Sequence, residues 1–149
     1  KFMAALTTAN SVEYTKYAAG GISNLVSKVW GQPVLSAFGK YTVPADTLAK
    51  TCEVSFSVVP KGARVLGFIF QCDDNTAAAT GTIEVGGTAA SAAGAITDLS
   101  AGPVKLFIAA LDTFSQTPLT ADSVVSVQFA DQVVDAAVVM TLTTLYVLD

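Results

Sequence analysis

From Lys40 onward, apolar residues fall in short runs at every second position, and Gly, Pro or Asp closes each run. That pattern confines the chain to β-structure, because alternation at period two gives a strand one buried face and one open face. The clearest run is Thr51–Val59, TCEVSFSVV, with Cys52, Val54, Phe56 and Val58 on one face and Glu53, Ser55 and Ser57 on the other. Pro60-Lys61-Gly62 has the composition of a turn, Arg64–Cys72 is the next strand, and Asp73-Asp74-Asn75 ends it. Shorter strands are expected at Lys40–Ala45, Gly81–Gly86, Ile96–Leu99 and Val104–Ala109. Ser123–Ala130 puts Val125, Val127 and Phe129 on one face; Ala136–Leu148 does the same for Val138, Met140, Leu142, Tyr146 and Leu148. The stretches GGTAASAAGA and SQTPLTAD read as loops. About eight short strands predict an all-β, antiparallel sandwich or jelly roll over residues 40–149. No repeat with a period of about 20–50 residues is present.

The two strands around Pro60 suggest a hairpin. With Lys61-Gly62-Ala63 as its loop, Val58 faces Leu66, Phe56 faces Phe68, Val54 faces Phe70 and Cys52 faces Cys72. Every pair on that face is apolar, as a core-selected register requires. In a jelly roll, however, consecutive strands often pass to the opposite sheet, and the same residues then meet across the core. On either arrangement Leu66, Phe68 and Phe70 are expected in the core, with Val65 and Ile69 facing a second sheet or subunit. The cysteines are read as buried free thiols, because a directly opposed cross-strand disulfide is geometrically demanding and nothing signals an oxidising compartment.

Residues 1–39 differ from the rest. They carry Gly20-Gly21, Gly31, Pro33 and Gly39 and no strong period, although Ser23–Trp30 has helical potential with Ser23 or Asn24 as cap. Their apolar content, Phe2, Leu6, Tyr14, Tyr17, Leu25, Val29, Trp30, Leu35 and Phe38, argues against a disordered tail. An N-terminal arm docked on a neighbouring subunit fits better, with a reach on the order of 100 Å when extended. Tyr14, Tyr17, Trp30 and Phe38 are its candidate anchors, since aromatic side chains are favoured at interfaces. A carbohydrate- or partner-binding patch is the other reading of the same four residues.

Composition narrows the function. Of the 149 residues, 52% are hydrophobic and 13% charged, about half the usual charged share of a globular chain. So little charge implies a surface covered by other copies. The net charge of −4 leaves no basic stripe for phosphate contacts, so no nucleic-acid partner is expected. No apolar run is long enough to span a bilayer, and no basic segment precedes an apolar one as in a secretory signal. The initial Lys rather than Met is expected of a processed terminus. With no histidine and two cysteines, the chain lacks the commonest general base and any self-sufficient metal cage. No enzyme activity, metal or cofactor is therefore expected. Asp73-Asp74-Asn75 reads as a solvated turn rather than a calcium site, as do the isolated Asp131, Asp135 and Asp149. GTIEVGGTAASAAG lacks the Lys-Ser/Thr of a phosphate loop and reads as flexible.

Five short motifs carry a resemblance: Leu6-Thr7-Thr8-Ala9, Pro60-Lys61-Gly62-Ala63-Arg64-Val65, Glu84-Val85-Gly86, Pro118-Leu119-Thr120-Ala121-Asp122 and Leu145-Tyr146-Val147-Leu148. In this order they are similar to a group of small tailed-phage structural proteins, chiefly from residue 40 onward. The resemblance implies a jelly-roll capsid decoration (cement) protein on the outer virion surface, a homo-oligomer with the trimer favoured, bound to the major capsid protein and without an active site. The alternative is a head or tail fibre or adaptor module that binds a receptor or glycan. Such a module would display aromatic residues on its loops, and the loops here are mostly Ala, Gly, Ser and Thr.

Overall fold

The computed structural model describes residues 33–44, 48–73, 75–76, 78–97, 99, 104–110, 112–132 and 134–148, and for 104–108 the main chain. Among the described residues there are eight strands: β1 (Leu35–Thr42), β2 (Glu53–Val59), β3 (Ala63–Cys72), β4 (Thr80–Val85), β5 (Thr88–Ala89), β6 (Val104–Ala109), β7 (Ser123–Ala130) and β8 (Val139–Leu148). One short helix, α1 (Asp112–Gln116), lies between β6 and β7. The strands form two antiparallel sheets, ordered β1-β8-β3-β6 and β2-β7-β4-β5. The expected all-β sandwich of about eight strands is the observed architecture.

The hairpin register is not formed. β2 pairs with β7 in one sheet, whereas β3 pairs with β8 and β6 in the other, so the turn at Pro60 carries the chain from one sheet to the next. Residues expected to be cross-strand partners instead line opposite walls of one core. Phe68 and Phe70 come from β3, Met140 and Leu142 from β8, Val54 and Val59 from β2, Ile83 and Val85 from β4, and Val125, Val127 and Phe129 from β7. Complete burial of each large side chain contributes about 1.5–3 kcal/mol, which is why these positions select the inward phase of every strand.

Two β-bulges change that phase part-way along a strand. The β2–β7 register skips at Phe56, between Ser55 and Ser57, and the β3–β8 register skips at Leu66, between Val65 and Gly67. Each extra residue turns the following side chains to the other face. Val58, expected inside, is therefore 56% exposed and Val59 is buried. Leu66, expected inside, is 39% exposed, and Val65, expected outside, is fully buried.

The bulge at Phe56 also explains a glycine. A Cβ added to Gly39 of β1 would overlap the Phe56 carbonyl oxygen and lie 2.7 Å from the Phe56 Cβ. Only glycine lets the edge strands of the two sheets approach this closely. Leu35–Gly39, which the sequence assigned to the arm, thus belongs to β1 and pairs with Tyr146–Leu142 of β8. The small residues Ala37 and Gly39 at its inward positions concealed the alternation.

Two further expectations shift. Ile96–Leu99 is not a regular strand; Ile96 makes a single bridge to Gly81, and Ile96 and Leu99 fill the core as buried loop residues. The GG stretch read as flexible is instead a tight turn, with Gly86 and Gly87 at φ of 59° and 75°, and it leads directly into β5. Beyond it, the buried Ser91 hydroxyl accepts the Ile83 N–H at 2.9 Å. Asp112–Gln116, for which no helix was expected, folds as α1 and buries Phe114.

Two substitutions test this packing. Gly39→Ala is expected to lower stability by about 3 kcal/mol, a fall of about 10 °C in Tm by calorimetry. The Thr144 hydroxyl is fully buried on β8 with no hydrogen-bond partner, and such a group costs about 1–3 kcal/mol. Thr144→Val is therefore expected to raise Tm by a few degrees.

Candidate functional site

The strand orders place every connection at one of two ends. At one end lie the β2–β3 turn, the β4–β5 turn and the α1 connection; at the other lie the β1–β2, β3–β4, β5–β6 and β7–β8 connections. At the first end the Lys61 N–H donates to Asp122 Oδ1 at 2.8 Å. The Gly62 N–H donates to the Leu119 carbonyl, and the Leu119 N–H to the Ala63 carbonyl, both at 2.8 Å. The Pro60–Arg64 and Pro118–Asp122 motifs are thus two halves of one clasp, which ties the sheet-crossing turn to the segment entering β7.

A second clasp closes the opposite end. Asn75 is buried, and its Oδ1 accepts the Asp135 N–H at 2.8 Å. Asp135 Oδ2 in turn accepts the Thr76 N–H at 2.8 Å and the Thr76 hydroxyl. These donors hold the Asp135 carboxyl below its ordinary range. The Thr80 hydroxyl donates to Asp131 Oδ2 at 2.6 Å. Asn75 and Asp135 therefore tie two loops together rather than sit in solvated turns as expected, whereas Asp73 and Asp131 are exposed as expected, Asp131 also holding the start of β4, and Asp74 lies outside the described residues. Among the described residues, no three His, Cys, Asp or Glu side chains are grouped to hold a metal.

Both cysteines are free. Cys72 is buried at the end of β3; burial, and then the neighbouring Asp73 charge, push its thiol from 9.0 up to about 12. It behaves as a small core hydrophobe. Cys52 is half-buried beside the start of β2.

What remains for function is the pair of outward sheet faces. On the β1-β8-β3-β6 sheet a row runs from Phe38 through Thr143 to Ile69. Phe38 is 63% exposed and Ile69 is half-buried, with Leu145 and Val147 of β8 half-buried in the same outward phase. On the β2-β7-β4-β5 sheet the rows of outward phase are polar, Glu53–Gln128–Thr82 and Ser55–Ser126–Glu84 with Ser126 itself buried, until the exposed pair Val58–Val124. Of the anchors expected from sequence, Phe38 and Ile69 share one face and Val65 is withdrawn into the core by the Leu66 bulge. Tyr14, Tyr17 and Trp30 lie outside the described residues. Sequence reasoning missed Val58 and Leu66 as surface groups, since without the bulges each lies on the core face, and did not single out Val124, which falls on the face opposite Val125, Val127 and Phe129. No helix among the described residues is long and apolar enough to cross a membrane.

No family model matches the chain, and no curated protein matches it. Two solved structures do. The Cyanophage Pam1 capsid asymmetric unit is similar at a TM-score of 0.64 and 18% identity, over 97% of this chain and 100% of that one. The capsid of Ralstonia phage GP4 is similar at a TM-score of 0.57 and 20% identity, over 78% and 85%. The chain shares its fold with proteins of phage capsids.

The thiol environments predict a labelling order. At pH 8 Cys72 is expected to resist iodoacetamide until the protein unfolds. Because its folded pKa is raised, its contribution to stability is complete below pH 9.0 and is lost as pH rises from there to about 12. Prompt labelling of Cys72 in the native protein, read by mass spectrometry, would contradict this assignment.

Proposed function

We propose that the chain is a non-enzymatic structural component of a phage virion, a decoration (cement) protein on the outer capsid surface. The observation that carries this reading is the likeness of fold, over nearly the whole chain, to the Cyanophage Pam1 capsid asymmetric unit. The facing strand orders β1-β8-β3-β6 and β2-β7-β4-β5 support its classification as a jelly roll, an architecture used in viral capsids. The five short motifs point the same way, and two of them form the clasp at Lys61 and Asp122.

Its mechanism is adhesion. A chain with 13% charged residues and an outward face bearing Phe38, Ile69, Leu145 and Val147 loses little solvation energy when that face is covered, and burial of such faces drives association. In this reading the protein is a homo-oligomer, with a trimer favoured, that holds neighbouring copies of the major capsid protein together. In this reading the segment that precedes β1 supplies further contacts through Tyr14, Tyr17 and Trp30, and β1 adds Phe38.

Purified protein added to capsids that lack it is expected to give ordered density on the outer surface at three-fold or quasi-three-fold positions, imaged by electron microscopy. Absence of binding to heads, with binding to host cells instead, would replace decoration by the fibre-module reading.

A further inference from the structure

The two outward faces of the sandwich are opposite in charge as well as different in polarity. The β1-β8-β3-β6 face carries the exposed Lys40 and the half-buried Arg64 among its apolar and Thr positions. No carboxylate stands on it among the described side chains. The β2-β7-β4-β5 face carries Glu53 and Glu84 and no cation among the described side chains. Each face also has an apolar portion: Phe38, Ile69, Leu145 and Val147 on the first, and the Val58–Val124 pair on the second.

We infer that adjacent copies of this chain pack these unlike faces together, the β1-β8-β3-β6 face of one copy on the β2-β7-β4-β5 face of the next. The inference rests on the homo-oligomer reading above and names the surfaces that meet. A symmetric pairing of one face with itself gathers charges of a single sign, Lys40 with Lys40 or Glu84 with Glu84, and is opposed by their repulsion. The unlike pairing sets Lys40 toward Glu53 and Glu84 and offers Phe38 and Ile69 an apolar counterpart in Val58 and Val124. Charge complementarity of this kind chiefly fixes which faces meet and in what register, while apolar burial supplies the affinity. The contact is head-to-tail between opposite sides of one sandwich, so repeated it stacks copies in a row and leaves closure into a trimer to other contacts.

Charge exchange on the intact chain tests the pairing. Lys40→Glu and the double variant Glu53→Lys/Glu84→Lys each alter only outward positions, so folding is checked by Tm and far-ultraviolet circular dichroism. In sedimentation velocity at low salt, each variant is expected to associate about tenfold more weakly than the parent. The combined variant Lys40→Glu/Glu53→Lys/Glu84→Lys is expected to regain association, because every copy again presents opposite signs. Unchanged association of the separate variants, no recovery in the combined one, or a parent that stays monomeric at about 100 μM overturns the inference. Binding to bare capsids, measured on the same proteins, separates the two readings. Capsid binding by a parent whose association ignores these charges leaves the virion role standing and removes only the paired faces.

Discussion

The sandwich depends on the main chain of Phe56 lying against Gly39. That contact closes the two sheets along the β1 and β2 edges, and a Cβ on Gly39 would collide with it. The close approach accompanies the extra residue in β2, which carries the Phe56 backbone toward the other sheet. The same bulge reverses the phase of Val58 and Val59, sending one outward and the other into the core. Its counterpart at Leu66 does the same in β3. Two single-residue insertions therefore decide which apolar side chains build the core and which remain on the surface for other molecules. Both bulges lie near the end of the sandwich where the chain crosses between sheets at Pro60.

This explains what could be read from the sequence and what could not. Alternation in Ser123–Ala130 and along most of Val139–Leu148 was legible, because those central strands have neighbours on both sides and keep one phase for most of their length. The strand count and the all-β class followed from the same signal. The pairing of β2 with β3 was not legible, since an apolar pair looks alike whether it meets across a ladder or across a core. Bulges were illegible for a related reason. Leu66 and Val65 are both good core residues, and only the β8 register, anchored by Met140 and Leu142, decides between them. β1 was hidden because the inward Gly39 was selected by a contact with a residue seventeen positions away.

The candidate site shows the same division. Ile69 was identifiable because a branched residue out of phase with the core suggests an outward apolar group, and Phe38 because an aromatic in a segment without period suggests a contact anchor. Val65 satisfied the same rule and failed it through the bulge. Asn75 and Asp135 looked like ordinary loop polarity, yet their carbonyl and carboxylate oxygens hold two connections together at one end. Such ties need no distinctive sequence pattern, only the meeting of two loops sixty residues apart in the chain.

The order of the strands has a consequence for how the molecule comes into being. β8, made last of the eight, sits between β1 and β3, and β7 sits between β2 and β4. Until those two late segments leave the ribosome, β1 and β2 have no neighbour to pair with, β3 and β4 have only β6 and β5, and neither sheet is complete. Folding must then gather contacts separated by most of the chain at once, the arrangement that makes β-rich topologies slow. A protein built this way passes through a long interval with its apolar surfaces open, and its scarcity of charge gives little protection during that time. Any setting that brings many identical chains together at high concentration would meet that interval as a timing problem: the strand that completes the sheet must arrive before a neighbour takes its place.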